Sequence, residues 1–187
     1  LAPHLPEDLL KQALDAARKI GDEYWRAWAL AALAPHLPPD LLKQALDAAR
    51  ELPEIGLFGS PRARALAALA PHLPPDLLEQ ALDVAREIRD ADARAEALAA
   101  LAPYLPPKQQ PQALVEALDA IRKSKTLDRC TILAALAPHL PPEQRPQVLA
   151  EALAAAREIG WESARARALA ALAPRLAELP RPALYPL

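Results

Sequence analysis

The chain has 187 residues, of which 45 are Ala and 36 Leu, with 22 Pro, 4 Gly, 1 Phe and no Met. Helix formers in that excess, with few aromatic or β-branched residues, leave little to build a sheet, so the fold class is read as all-α. A formal charge of −2 gives no general attraction to nucleic acid or an acidic membrane, and no apolar run reaches the roughly 20 residues needed to cross a bilayer.

One Cys excludes an internal disulfide framework and suits a reducing compartment, so a cytoplasmic setting is expected. No secretory leader pattern is present. The chain starts inside a recurring phrase and lacks Met, which reads as a piece of a longer protein.

The recurring phrase is "LAPHLP", at 1, 33, 69 and 136, with "LAPYLP" at 101 and "LAPRLA" at 172. Units therefore begin 32, 36, 32, 35 and 36 residues apart. Periods of this size belong to arrays built from one supersecondary unit. Five units and a truncated sixth fill residues 1–178 as a single repeat domain, and a proline-rich tail, 179–187, follows.

Each unit predicts two helices. "DLLKQALDAAR" opens the chain at 8–18 and returns at 40–50. On a helical wheel, Asp40, Lys43, Gln44, Asp47, Arg50 and Glu51 fall within roughly a 120° arc, while Leu and Ala fill the other two-thirds. A helix so widely apolar is packed on more than one side. "SPRARALAALAPHL" (60–73) predicts the partner helix, with Ser60 as N-cap and Pro61 at its first position. Its late Pro71 should kink or end it. "PPDLLEQALDVAREI" (74–88) predicts the next helix of the first kind. Connections between units vary: "GDEYW", "LPEIGLFGSP", "RDADA", "KSKTLD" and "GWESA". Units four and five carry a short insertion, "KQQPQ" and "EQRPQ".

Against this background, individual positions can be weighed. His4, His36, His72 and His139 share one place in the unit, and Tyr104 and Arg175 also occupy it. Layers of packed helices stand about 8–10 Å apart, too far for one metal ion to gather these rings. They read as helix C-terminal residues near the last carbonyls. Arg26, Arg62, Arg94, Arg129 and Arg165 are also equivalent, and fall on the leucine face. An inward Arg needs a partner; a ladder with Asp15, Asp47, Asp83 and Asp119, or with nearby Glu, is expected, and a phosphate-binding row is the alternative. Two residues on, Trp28, Arg64, Glu96, Thr131 and Arg167 are equivalent yet differ in character and point away from the leucines. Tyr24, one turn before Trp28, shares that side. Tyr24, Trp28, Phe58, Arg64, Trp161 and Arg167 are the candidate partner-binding residues, because aromatics and Arg dominate binding hot spots. The competing reading has the rings covering a loop or an alanine-lined groove. "IRKSK" (121–125) reads as a solvated helix end, and Cys130, standing where other units have Ala, as a buried filler.

A proline late in the first helix, two antiparallel helices per unit and the irregular 32–36 period resemble HEAT-like repeats. The tetratricopeptide period of 34 is the second choice, but that family's Trp, Gly, Tyr and Phe signature is not found. The wording "LAPHLP…ALDAAR" is similar to arrays attached to large bacterial signalling NTPases of the STAND type, although no "GxxxxGK[ST]" phosphate loop lies here. The resemblance implies a right-handed α-solenoid acting as a sensor or partner-binding region. The expectation is a non-enzymatic scaffold, without metal or cofactor, that binds a protein or peptide. The alternative is an architectural array that self-associates through uncapped ends; nucleic acid is disfavoured by the charge, and no membrane partner is expected.

Overall fold

The computed structural model of the chain describes residues 6–56, 59–123 and 129–178. Among them ten α-helices follow one another: α1 Glu7–Arg18, α2 Glu23–Leu33, α3 Pro39–Arg50, α4 Pro61–Leu69, α5 Pro75–Glu87, α6 Ala91–Leu101, α7 Gln110–Lys123, α8 Arg129–Leu136, α9 Arg145–Glu158 and α10 Glu162–Leu172. The fold is all-helical, and each helix packs against its neighbours.

Local chemistry sets the helix ends. Ser60 Oγ accepts from the Ala63 amide at 3.0 Å, with Pro61 in the first turn behind it. Asp22 and Asp90 cap α2 and α6 in the same way, accepting from Trp25 and Ala93. At the other end, the proline of "LAP" has no amide to donate, so the α-helical ladder cannot continue through it. Each even-numbered helix up to α8 accordingly tightens into a three-residue 3₁₀ turn: Ala34–His36, Ala70–His72, Ala102–Tyr104 and Ala137–His139. The next helix then starts within a few residues on "PP", or after one extra turn where units four and five carry their insertion. The tail 179–187 lies outside the described residues, as does His4.

The two kinds of helix pack differently. The odd-numbered helices bury a broad leucine-alanine face, such as Leu41, Leu42, Ala45, Leu46, Ala48 and Ala49 of α3, and keep a polar arc outside. The even-numbered helices form a row, α2 on α4, α4 on α6, α6 on α8 and α8 on α10, so that α4, α6 and α8 are flanked on both sides by others of their kind. In α6 that burial extends to Ala93, Ala95, Ala97, Leu98, Ala99 and Leu101. Alanine suits this place, since a small side chain lets neighbouring helices close up while costing no rotamer entropy. Leucines recur at fixed places in the core: Leu30, Leu66, Leu98 and Leu133, with Leu69, Leu101, Leu136 and Leu172, are all fully covered. Burying each contributes about 1.5–3 kcal/mol, and together they join one core running from Leu10 to Leu172.

The connection between α3 and α4 departs from the others. Gly56 donates its amide to the Gly59 carbonyl at 2.8 Å. Gly59 adopts φ +97°, a left-handed conformation that a side chain disfavours. A Cβ at Gly56 would come within 3.0 Å of the Pro61 ring, so the loop is pinned against the start of α4.

Candidate functional site

The repeated arginines take partners other than the expected aspartates. Arg26 Nε donates to the Ile20 carbonyl at 2.7 Å, Arg62 Nε to Leu52 at 2.8 Å and Arg94 Nη1 to Ile88 at 2.8 Å. Arg165 Nη1 reaches Ile159 at 3.5 Å. All four acceptors are carbonyls just past the C-terminus of the preceding odd-numbered helix. Those carbonyls have no partner within their own helix, and the helix dipole favours a cation beside them. The guanidinium therefore clips the end of one helix to the first turn of the next. Asp15, Asp47, Asp83 and Asp119 lie on the exposed polar arc instead; Asp83 meets only the edge of Arg86 on its own helix, at 3.6 Å. For Arg129 the counterpart carbonyl, that of residue 124, is outside the described residues, and among those described its buried Nε has no hydrogen-bond partner.

Arg62 has a further contact. Glu54, in the loop after α3, sits 3.6 Å from its Nη1 and also accepts from the amides of Arg89 and Asp90 at 2.8 and 3.2 Å. Burial pushes the Glu54 carboxyl up, but these two amides and the charges of Arg62 and Arg89 outweigh it and leave it below the ordinary carboxylate range.

The candidate binding residues lie on the other side of the even-numbered helices. Five residues before each "LAP" leucine stand Trp28, Arg64, Glu96, Thr131 and Arg167, and one turn further come Ala32, Ala68, Ala100, Ala135 and Ala171. Every one of these ten side chains is exposed or half-buried, while the leucines two residues beyond Trp28, Arg64, Glu96 and Thr131 are covered. Between α4, α6 and α8 this strip sinks into an open groove of about 400 Å³, lined by Arg64, Glu96, Thr131 and Ile132 over a floor of Ala99, Ala100 and Ala135. A second recess of about 210 Å³ adjoins it at Glu96, edged by Glu54, Asp90 and Asp92.

At its α2 end the strip turns aromatic. The Arg64 guanidinium carbon lies 5.1 Å from the centre of the Tyr24 ring, a cation–π contact. Tyr24 meets Trp25 edge to face at 5.1 Å, and Trp25 meets Trp28 likewise at 6.5 Å. Trp25 and Trp28 each keep 56% of their surface open to solvent. So Tyr24, Trp28 and Arg64 are brought together, and Arg167 stays exposed on α10. Trp161 stands apart at the N-terminus of α10, 74% exposed. Phe58 lies outside the described residues.

Trp25 was not among the expected residues; the signal was its three-residue spacing from Trp28, which puts both indoles on one side of a helix. Also unforeseen is a ladder on the polar arc of the odd-numbered helices. Arg50 pairs with Glu87, Arg86 with Glu116 and Arg122 with Glu151. Arg122 of the basic run is thereby committed to a carboxylate, which with its hydrogen bonds raises its pKa.

Cys130 is fully buried with Sγ 3.6 Å from the Ala168 carbonyl, and burial pushes the thiol up to about 11. His36, His72 and His139 each close a 3₁₀ turn. Burial lowers the His139 pKa, helped by the positive charges of Arg175 and Arg145. Among the described residues no three His, Cys, Asp or Glu side chains stand close enough to hold a metal ion, and no helix is long and apolar enough to cross a membrane. Comparison with protein-family models, with curated proteins and with solved structures finds no match to this chain.

Proposed function

We propose that the chain is a HEAT-like α-solenoid of about five helical hairpins that serves as a non-enzymatic scaffold, recognising a protein or peptide along the open side of its even-numbered helices. In this reading it is the sensor or partner-binding part of a larger protein, as the resemblance to STAND-type arrays implies. The observation that carries it is the division of work within one register. Leucines at fixed places are mostly buried, alanines form a floor, and one place that changes character from unit to unit (Trp28, Arg64, Glu96, Thr131, Arg167) stays exposed or half-buried. Close alanine-lined packing of the even-numbered helices, against odd-numbered helices bridged by long Arg–Glu pairs, supports a row curved with α2 to α10 on its inner side. Extended inner surfaces of such arrays suit long ligands.

The test is selection of a random-peptide display library on the purified protein, with winners re-measured on Trp28→Ala and Arg64→Ala variants. Affinity is expected to fall at least roughly tenfold while the far-UV circular dichroism stays helical. Equal binding by the variants would remove the row as the site, and loss of helicity would assign the rings to packing.

A second reading has one observation in its favour. Leu9 of α1 is 48% exposed, although its counterparts Leu41 and Leu77 are buried, and Leu169 of α10 is 38% exposed where Leu66 and Leu98 are covered. End faces of this kind stack on one another in uncapped arrays. Light scattering over a concentration series separates this reading: growth in mass that a Leu9→Lys, Leu169→Lys double variant abolishes would establish self-association.

A further inference from the structure

The first and last helices of the even-numbered row bury opposite halves of one repeated pattern. Helix α6, flanked on both sides, covers two sets of places: Ala93, Ala97 and Leu101, and Ala95, Leu98 and Ala102. In α4 and the turn after it the same places are buried as Pro61, Ala65 and Leu69, and as Ala63, Leu66 and Ala70. Members of each set are three or four residues apart, so each set occupies one side of its helix. At α10, last in the row and packed on α8, only the first set is covered, as Ala164, Ala168 and Leu172. Its second set lies open: Ala166 and Ala173 are exposed, and Leu169 keeps 38% of its surface in solvent. At α2, first in the row and packed on α4, the pattern inverts. Ala27, Leu30 and Ala34 are covered, while Trp25 is exposed and Ala29 and Leu33 are half-buried.

The first set therefore faces the preceding helix of the row and the second set the following one. One contact reads this pairing directly: Cys130, in the second set of α8, has its Sγ 3.6 Å from the carbonyl of Ala168, in the first set of α10. The odd-numbered side agrees. On α1, Leu9 and Ala16 are exposed and Ala13 is half-buried, although Leu41, Ala48 and Ala45 are covered at those places on α3. The α1–α2 end thus shows one apolar face and the α10 end another. They are the two sides of a contact that the molecule already makes within itself, from each even-numbered helix to the next.

We propose, resting on the self-association reading above, that the partner of each face is the opposite face of a second copy of this chain. The α2 face of one copy seats on the α10 face of another in the register of the internal contact. Ala29 of one copy then meets Ala166 of the other, as Ala168 meets Cys130 within a copy. Trp25 is the anchor: it stands where the inner helices have Pro61 and Ala93, and its indole, 56% exposed, brings a larger apolar group than either. Buried Trp is prominent among residues that dominate association. Because the two faces differ, the contact is heterologous. It uses one end of each copy and leaves the other free, so copies add in one direction, closing as a ring or growing as an open fibre. An α2 face laid on another α2 face would join places that no internal contact joins. Stacking also continues the row of even-numbered helices from one copy into the next.

The test uses two variants, each with one end blocked. Leu9→Lys with Trp25→Lys charges the α2 face, and Ala166→Lys with Leu169→Lys charges the α10 face. All four side chains are exposed, so both variants should keep native circular dichroism; Trp25→Glu and Leu169→Glu repeat the test as single exchanges should a double variant lose helicity. Light scattering over a concentration series is expected to show the parent growing beyond a dimer. Each variant alone should stay at 20.2 kDa, and their equimolar mixture should reach twice that mass and stop. Trp25→Ala alone should raise the half-association concentration at least about tenfold. A blocked variant that dimerises by itself, or a mixture that stays monomeric while the parent grows, would overturn the head-to-tail contact and leave the self-association reading standing. A parent that keeps the mass of one chain at every concentration would sink both. An unchanged half-association concentration in Trp25→Ala would remove Trp25 as the anchor.

Discussion

Arg86 of α5 grips Glu116 of α7 with two hydrogen bonds, Nε to Oε2 at 2.9 Å and Nη2 to Oε1 at 3.0 Å. Arg122 and Glu151 repeat that geometry one step on, at 3.0 Å for both bonds, and Arg50 holds Glu87 in the same forked way. The Arg always comes from one place in the unit. The carboxylate comes from two: Glu87 directly follows Arg86, whereas Glu116 and Glu151 precede their own arginines by six positions. Planar fork meeting planar carboxylate fixes the relative angle of successive odd-numbered helices.

Because both side chains are about a third exposed, the Arg86–Glu116 pair is expected to contribute no more than about 1 kcal/mol. A double-mutant cycle with Arg86→Ala and Glu116→Ala in urea denaturation should give a coupling of about 0.5–1 kcal/mol, falling as salt rises. The Arg86 hydrogen bonds lower the Glu116 pKa against the opposing effect of burial, and a Gln112 contact adds to the lowering. A carboxylate with a lowered folded-state pKa stabilises above its unfolded value and loses that contribution as pH falls through the folded one. The coupling should therefore be full at neutral pH and vanish in acid. A coupling unchanged by acid would show that the pair acts through packing and not through charge.

The clipping arginines carry a larger expected effect. Arg94 holds the Ile88 carbonyl from a half-buried site and reaches Arg89 as well, at 3.4 Å. Arg94→Ala leaves helix-end carbonyls without their charged donor, at a cost of about 1.5–3 kcal/mol. Arg94→Lys keeps the charge but not the fork and should recover only part. Asp83→Ala, on the exposed arc, should stay within about 0.5 kcal/mol of the parent. Equal losses for Arg94→Ala and Asp83→Ala in urea denaturation would restore the Arg–Asp ladder that the sequence suggested.

That contrast shows where sequence reading holds and where it stops. Helix number, the Ser60 cap and the stop at each "LAP" follow from short-range chemistry, and they appear as expected because caps and prolines act within one turn. The inward set of Arg26, Arg62, Arg94 and Arg165 was legible from the wheel. Their carbonyl partners were not, because a backbone carbonyl leaves no mark on composition, whereas aspartates invite pairing on paper; the alternative of a nearby Glu is met at Arg62, where Glu54 stands 3.6 Å away. The Arg–Glu ladder escaped for another reason: its carboxylate changes register between Glu87 and Glu116, so alignment by period separates residues that the packing joins. The open row containing Trp28, Arg64 and Glu96 was readable, since variation at a fixed exposed place needs no tertiary knowledge. That it borders a groove required the spacing of three helices.

Cys130 offers a clean probe of the core. Its counterparts are Ala27, Ala63, Ala95 and Ala166, so the site accepts a small side chain, and Cys130→Ala is expected to cost under about 1 kcal/mol. Burial raises the thiol pKa to about 11. For an acid with a raised folded-state pKa, the stability contribution is complete below the unfolded value of about 8.5 and is lost as pH climbs through the folded one. In the native protein the thiol should resist alkylation by iodoacetamide at pH 8 and react once urea unfolds the chain. Rapid labelling without denaturant would mean that α8 opens locally and that its buried face is not part of the stable core.

Glu54 joins the irregular loop to the unit beyond it, and its removal should be felt at both ends. It accepts from the amides of Arg89 and Asp90, which lead into the Asp90 cap of α6, while facing Arg62 at the start of α4. Glu54→Ala strips the partner from one exposed and one part-buried amide, at a cost of about 0.5–1.5 kcal/mol. Glu54→Gln keeps an acceptor oxygen but gives up the charge, and should fall between the variant and the parent. Since the carboxyl sits below its ordinary range, its contribution is present above the unfolded carboxylate pKa and disappears as pH falls through the folded value. Hydrogen exchange reads the consequence residue by residue: amides of Arg89, Asp90 and the first turn of α6 should lose protection in Glu54→Ala at neutral pH. The parent should show the same loss in acid, after correction for intrinsic exchange rates. Protection unchanged in Glu54→Ala would place the anchor of this loop in the Gly56–Gly59 bridge instead, and the second recess beside Glu96 would then keep its shape without Glu54.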